Sequence, residues 1–204
     1  MANDNYARGL VPYRCIGANY YRVSTAADIY LGQPVALGAT GYVSTISANG
    51  ITQMLGVAIG FAGTKKGSIA TNDPFLDVSD LTPPDPSSDT GDRFVLVADD
   101  PQQEYYVQED SGGTALALAD IFSTIDMTFR GDGTSITGDA NTGWATLEID
   151  ASSVAQDTGQ LLSILRLHDV INSDGTENGV GDYAKWVVKA LHHQRQGANI
   201  VPTA

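Results

Sequence analysis

Short apolar segments separated by turn-forming residues constrain the fold of this chain more than any other feature. Three of them lie early in the chain, at residues 29–37, 41–46 and 54–61. Between the last two, Asn49-Gly50 can adopt the positive φ angles of a tight hairpin turn. Segments of this length with turns between them are typical of strands rather than helices. The sequence therefore predicts an all-β fold.

The second half of the chain repeats this pattern. Residues 93–98 and 104–108 are apolar or aromatic, and the polar residues 99–103 between them predict a hairpin. Further strands are predicted at residues 124–129, 144–150, 161–169 and 183–193. Residues 114–120 alternate Leu with Ala, which suits a strand by its period of two and one helical turn by its composition. Both structures stay open for that stretch.

Composition predicts a division of the chain into four parts. Residues 79–92 contain three prolines and four aspartates, which predicts an exposed linker or loop that proteases cut readily. Before it we expect an extended N-terminal arm at residues 1–24 and a small β-barrel-like domain at 25–78. After it we expect a second antiparallel β domain at 93–204.

Acidic residues are concentrated in the middle of the chain. Of the 24 acidic residues, 13 lie between positions 73 and 126, where Arg93 is the single basic residue, and the formal net charge is −13. Binding to DNA or RNA depends on Lys and Arg side chains that neutralise phosphates. We therefore expect no nucleic-acid partner and look for a protein partner instead.

The first 24 residues have the opposite character. They contain three arginines and one aspartate, with tyrosines among the arginines. Tyr and Arg are enriched at protein–protein interfaces, because each buries a large area and still makes directed polar contacts. The predicted interface residues are Arg8, Tyr13, Arg14, Tyr20, Tyr21 and Arg22. We expect this arm to be needed for joining an assembly but not for folding the body.

We recognise no catalytic or ligand-binding motif in the sequence. Cys15 is the single cysteine, which excludes an internal disulfide and the usual structural zinc sets. His192 and His193 would point to opposite faces of a strand, and no Gly-Lys pair of a phosphate-binding loop occurs. We therefore expect no enzyme activity, no cofactor and no metal site.

The sequence also lacks a signal for a membrane or for export. The N-terminus has no apolar core behind a basic start, and no apolar run approaches the length of about 18 residues that spans a bilayer. We therefore expect no membrane partner and no export by that route.

Several segments together resemble a known kind of protein. Gly32-Gln-Pro-Val-Ala-Leu37, Gly41-Tyr-Val43 and Leu55-Gly-Val-Ala-Ile-Gly-Phe61 are similar to the small β-barrel pattern of head decoration (cement) proteins of tailed bacteriophages. Later stretches are similar to other phage structural proteins, namely residues 93–101, 106–110, 184–188 and 193–194. The likeness spans residues 25–194 and consists of turns and apolar pairs rather than a catalytic signature.

The resemblance implies a virion structural protein that binds the outer capsid surface and cements neighbouring capsomers. It implies the major capsid protein and neighbouring copies of the same chain as partners, and a homo-oligomer, with a trimer favoured. The implied location is the outer surface of the virion, after assembly in the cytoplasm of the host bacterium.

Two other functions stay open on the sequence. A phage tail-tube subunit is also mostly β and of similar size, and an acidic face would suit a channel that DNA traverses. Such a subunit would assemble into rings or tubes, whereas a decoration protein would bind preformed heads. A carbohydrate-binding β-module for host adsorption would use aromatic stacking platforms. Its candidate residues are Trp144, Trp186, Tyr105 and Tyr106.

Overall fold

The computed structural model of this chain describes residues 3–23, 28–46, 53–62, 75–76, 94–129, 138–139 and 142–196. Strands dominate these residues, and the helical stretches among them are single 3-10 turns at Leu118–Asp120 and Ala151–Ser153. The predicted all-β class is therefore confirmed. The predicted linker at 79–92 and the predicted turn at 49–50 lie outside the described residues.

The strands are numbered along the chain. They are β1 (Val11–Pro12), β2 (Ala18–Arg22), β3 (Ile29–Tyr30), β4 (Pro34–Leu37), β5 (Val43–Thr45), β6 (Gly56–Ala62), β7 (Phe75–Leu76), β8 (Phe94–Ala98), β9 (Glu104–Gln108), β10 (Thr124–Ile125), β11 (Met127–Phe129), β12 (Gly138–Asp139), β13 (Trp144–Ala145), β14 (Leu147–Ile149), β15 (Leu162–Leu167) and β16 (Lys185–Ala190). Every pairing between these strands is antiparallel.

Sheet I has the strand order β1-β9-β16-β15-β10. Side chains alternate across its strands, because successive residues of a strand point to opposite faces. Tyr105 and Val107 of β9 and Trp186 and Val188 of β16 are at most 1% exposed and belong to the main apolar cluster. The paired strands β11 and β14 supply further members of that cluster, including Met127. The opposite face of sheet I carries polar residues and borders the groove described below.

Sheet II has the order β2-β8-β6-β4-β5 and surrounds a second apolar cluster. That cluster includes Val35, Val43, Val95 and Val97, all 0% exposed. An isolated parallel bridge from Val23, just after β2, to Val43 of β5 brings the two edges of the sheet together at one point. Within the described residues, sheet II curls but does not close into the barrel suggested by the sequence pattern.

The predicted hairpin at residues 99–103 is wrong, because β8 and β9 belong to different sheets. The side chain of Asp99 is buried and accepts hydrogen bonds from Asn19 Nδ2, Tyr21 Oη and Arg195 Nη1. A hairpin tip would leave this carboxylate in water. The chain instead turns a corner here, from sheet II into sheet I, and Asp99 stabilises the corner.

The N-terminal segment differs from the expected free arm, because it contributes strands to both sheets. β1 pairs with β9 in sheet I, and all of β2 pairs with β8 in sheet II. Leu10 and Val23 lie in the two apolar clusters at 0% and 4% exposure. Sheet II also combines strands from three of the four predicted parts, namely the arm, residues 25–78 and residues 93–204. The division into domains stays a prediction.

Two glycines allow the N-terminal segment to cross the chain before β4. Gly9 and Gly32 have φ angles of 65° and 81°, which residues other than glycine adopt only with steric strain. The backbone amide of Leu10 donates to the Gly32 carbonyl over 2.8 Å. A Cβ atom on Gly9 would lie 2.4 Å from that carbonyl oxygen. The crossing therefore depends on the absence of a side chain at position 9.

Candidate functional site

A groove of about 590 Å³ lies beside the N-terminal segment, on the polar face of sheet I. Its walls come from residues 4–9, from β9, from the stretch 168–173 and from the first residue of β16. The lining residues that define its character are Tyr6, Arg8, Tyr106, His168, Ile171 and Lys185. These residues are far apart in sequence and meet because β9 pairs with β16.

A buried amide holds one wall of the groove in place. The backbone amide of Tyr6 donates to Oε1 of Gln108 over 2.6 Å, and Nε2 of Gln108 donates to Oδ1 of Asn5 over 3.2 Å. Gln108 is 3% exposed, and its Nε2 also donates to Glu148 over 2.7 Å. The N-terminal residues are therefore anchored to β9 by a side chain with little freedom to move.

Asp4 connects the N-terminal wall to the wall at 168–173. Its carboxylate accepts hydrogen bonds from the backbone amide and the hydroxyl of Ser173. These bonds lower the pKa of Asp4, since they favour the ionised form. Close by, Nδ2 of Asn3 donates to the carbonyls of Gly179 and Asp182. Both contacts fix the position of the first described residues on the body.

Two cations line the groove. The guanidinium of Arg8 lies 4.4 Å from the ring centroid of Tyr6 and 5.6 Å from that of Trp144. The ammonium of Lys185 donates to the carbonyl of Asp4 at 3.5 Å. Partial burial lowers the pKa of Lys185, the charge of Asp4 opposes this, and the charge of Arg8 lowers the pKa further. The ammonium is therefore partly desolvated and close to a second positive charge.

His168 gives one end of the groove an uncharged aromatic surface. Its ring centroid lies 4.8 Å from that of Tyr106, with the rings tilted, and 5.4 Å from that of Tyr13, edge to face. Burial lowers the pKa of His168, and the charge of Arg166 lowers it further. The ring is therefore neutral near pH 7. Its Nδ1 is buried without a hydrogen-bond partner among the described residues.

Tyr13 extends this aromatic surface towards two more arginines. The guanidinium carbons of Arg166 and Arg14 lie 5.1 Å and 5.7 Å from its ring centroid. Arg166 also forms a salt bridge of 2.7 Å with Glu104, in which both side chains are more than a third exposed. Exposed pairs of this kind stabilise a fold by only about 0–1 kcal/mol. The salt bridge therefore adds little to the stability of this region.

The predicted interface residues fall into two groups. Arg8, Tyr13 and Arg14 lie in or beside the groove, and Tyr20, Tyr21 and Arg22 lie in β2 of sheet II. Tyr20 is 39% exposed, whereas Tyr21 is half-buried and its hydroxyl donates to Asp99 over 2.5 Å. Burial and this bond raise the pKa of Tyr21 to about 12. That these residues form an interface stays a prediction.

Neither His168 nor Lys185 was predicted as a site residue, and Tyr106 was predicted only as a possible glycan-stacking residue. Together these three residues complete the groove. Lys185 and Lys189 alternate with the buried Trp186 and Val188, and this alternation marks them as residues of the polar face of a strand. No local signal shows that β16 pairs with β9 and faces residues 4–9. The grouping is a consequence of tertiary structure.

Two of the four aromatic residues considered for glycan stacking are in the core. Trp186 is 0% exposed and Tyr105 is 1% exposed, so neither presents a ring face to a ligand. Trp144 and Tyr106 are half-buried and border the groove region. Burial excludes Trp186 and Tyr105 as stacking platforms. The carbohydrate-binding hypothesis stays a prediction that depends on Trp144 and Tyr106.

The described residues contain no group of three or more His, Cys, Asp and Glu side chains placed to hold a metal ion. In this part of the chain, no helix has both the length and the apolar character needed to cross a bilayer.

Comparison with known proteins leaves the family open. No protein-family model matches the chain, and no curated protein matches its sequence.

Proposed function

We propose that this chain is a non-enzymatic structural protein that attaches to a larger assembly through the groove beside its N-terminal segment. The observation that carries the proposal is the gathering of Arg8, Lys185 and aromatic side chains in one groove of a protein with a formal net charge of −13. An acidic protein repels acidic surfaces at long range. A local basic and aromatic patch selects the orientation in which such an acidic protein can still bind an acidic surface.

The assembly that we propose is the head of a tailed bacteriophage, with this protein on the outer capsid surface as cement between capsomers. The support is the resemblance of residues 32–37, 41–43 and 55–61 to head decoration proteins. The major capsid protein and neighbouring copies of the chain would be its partners, with a homo-oligomer, by resemblance a trimer, as the bound form. The acidic remainder of the surface would keep decorated particles soluble and apart.

A tail-tube subunit is the second candidate. The all-β class and the acidic composition suit a tube as well as a decoration protein. The two functions differ in what the purified protein does alone. A tube subunit polymerises into rings or tubes, whereas a decoration protein stays small until a preformed shell is added.

Binding to shells tests the proposal. Purified protein is added to capsid shells that lack it, the shells are sedimented, and the bound copies are counted. We expect binding that saturates at a fixed number of copies per shell, with no tubes in the protein-only control. Tubes in that control would support the tail-tube function, and neither tubes nor bound copies would refute both functions.

A groove variant links this binding to the candidate site. Lys185→Gln should lower the occupancy of the shells, because it removes a cation from the groove lining. Lys189→Gln is the matched control: it changes the same charge on the same strand, outside the groove, where Lys189 donates to Gln102. Equal occupancy for both variants and the wild type would exclude the groove as the attachment surface.

A further inference from the structure

Arg8 and Lys185 form no salt bridge in the described part of the chain, although the charge of Asp4 acts on Lys185. Ion pairs there join Arg166 with Glu104 and Arg195 with Asp99, and neither groove cation takes part in one. A shortage of carboxylates does not explain this, since acidic residues outnumber basic ones by 24 to 11. The lining also contains the carboxylate of Asp4, but both of its oxygens accept hydrogen bonds from Ser173.

This arrangement is unfavourable for the isolated protein and favourable for an anionic ligand. Partial burial of Lys185 and the charge of Arg8 raise the energy of the charged ammonium, and the charge of Asp4 offsets only part of this cost. The same burial weakens screening by water, so a ligand carboxylate or phosphate would be attracted more strongly here than on an open surface. The cations thus point to a negatively charged ligand group.

Apolar surface beside the cations further limits the kind of ligand that fits the groove. Tyr6 and Ile171 are 48% and 62% exposed, and both line the groove next to the tilted rings of Tyr106 and His168. A bare anion would leave this surface in contact with water. A ligand that carries an apolar side chain next to an acidic group would cover it. The volume of about 590 Å³ lies in the range of sites that take ligands of the size of a short peptide.

We infer that the groove binds a short acidic peptide segment of another protein chain. A carboxylate of the segment contacts Arg8 and Lys185, and a neighbouring apolar or aromatic side chain packs on Tyr106 and Ile171. The inference rests on the proposed function, because it names the chemistry of the partner surface to which the groove attaches.

Fluorescence anisotropy with two labelled probe peptides tests the inference on the full-length protein. The acidic probe is Gly-Asp-Phe-Asp-Gly, and the neutral probe replaces both Asp residues by Asn. We expect the acidic probe to bind with a Kd below about 1 mM at low salt. We expect the neutral probe to bind at least about tenfold more weakly, and about 0.5 M salt to remove most of the difference by screening.

Variants assign the binding to the groove. Arg8→Gln and Lys185→Gln should each raise the Kd of the acidic probe about fivefold, the effect of one lost charge-assisted contact. Lys189→Gln should leave it unchanged. Melting curves establish that each variant is folded, so a lost contact is not confused with a lost fold.

Several results would overturn the inference. The acidic probe could fail to bind at about 1 mM, or both probes could bind equally well. Lys189→Gln could weaken binding as much as the two groove variants do, or inorganic phosphate could compete as well as the unlabelled acidic peptide. The last would show a general anion site. Shell occupancy separates this failure from that of the proposed function. If the groove variants lose shell occupancy but the wild type binds no acidic peptide, only the proposed ligand class is refuted. If the groove variants lose peptide binding but keep full shell occupancy, attachment to the shell through the groove is refuted.

Discussion

Leu10 tests whether the N-terminal segment belongs to the folded body. Its side chain is 0% exposed and lies in the same apolar cluster as Tyr105 and Trp186. Replacing a buried Leu by Ala removes apolar contacts and leaves a cavity, which lowers the free energy of unfolding by about 2–5 kcal/mol. If residues 1–24 formed a free arm, the same substitution would change stability by about zero.

The expected shift is large enough to measure by urea unfolding. A loss of about 3 kcal/mol, with a denaturant slope of about 2.5 kcal/mol per molar urea, lowers the midpoint by about 1.2 M. Circular dichroism follows the strands, and tryptophan fluorescence follows the buried Trp186. Coincident transitions from the two probes would justify a two-state analysis.

Ile16→Ala is the matched control from the same segment. Its side chain is 58% exposed, and the backbone amide that donates to Gln103 Oε1 is retained in the variant. We expect a change below about 0.5 kcal/mol, as for most surface substitutions. A midpoint for Leu10→Ala equal to that of the wild type would refute the assignment of this segment to the core.

Three further predictions follow from the structure and the sequence. Gly9→Ala should lower the melting temperature more than Gly41→Ala. Both positions have positive φ, but only at Gly9 would the new Cβ meet backbone, at 2.4 Å from the Gly32 carbonyl oxygen. Equal melting temperatures of the two variants would contradict the crossing of the chain at Gly9. Burial raises the pKa of Glu109 from 4.5 to about 7, so the native state keeps a proton that the unfolded chain releases between these values. The free energy of unfolding therefore falls by up to about 3 kcal/mol as the pH rises through this window. Glu109→Gln should lack this fall when unfolding is compared at about pH 5 and pH 8. An equal fall in the wild type and the variant would contradict the assignment of the pH dependence to Glu109. Residues 81–92, outside the described residues, stay the predicted first interior site of limited proteolysis, and an earlier cut elsewhere would count against it.

Most of the strands were predictable because they have a local signal, whereas β1, β2, β7 and β12 lie outside the predicted strand segments. The predicted segments 161–169 and 183–193 contain β15 and β16, and the apolar residues 94–98 form β8. Alternation and turn residues act over a few positions, so a sequence reveals them directly. Residues 114–120, which suited a strand or a helical turn, contain a 3-10 turn at Leu118–Asp120.

The pairing of the strands was not predictable in the same way. Residues 99–103 look like a hairpin tip, and only the contacts of Asp99 with β2 and Arg195 show that they form a corner. A proline such as Pro34 is typical of an edge or bulged strand, but β4 lies between β5 and β6 with Pro34 as its first residue. Proline is also tolerated at the first residue of a strand, so its presence does not determine whether a strand lies at an edge.

The groove was the least predictable part, because its residues come from separate regions of the chain. Arg8 stood out by its charge in the arginine-containing N-terminal segment, whereas Lys185 and His168 carry no local pattern that points to a site. Their meeting depends on the register in which Lys185 pairs with Gln108. Long-range register of this kind is set by packing, which a single sequence does not display.

A density map of the assembled particle by electron cryo-microscopy would show where this chain lies. We predict the chain on the outer surface of the capsid, with the groove formed by Tyr6, Arg8 and Lys185 buried against an acidic segment of a neighbouring protein. Density for the chain in the tail, or on the capsid with that groove open to solvent, would contradict it.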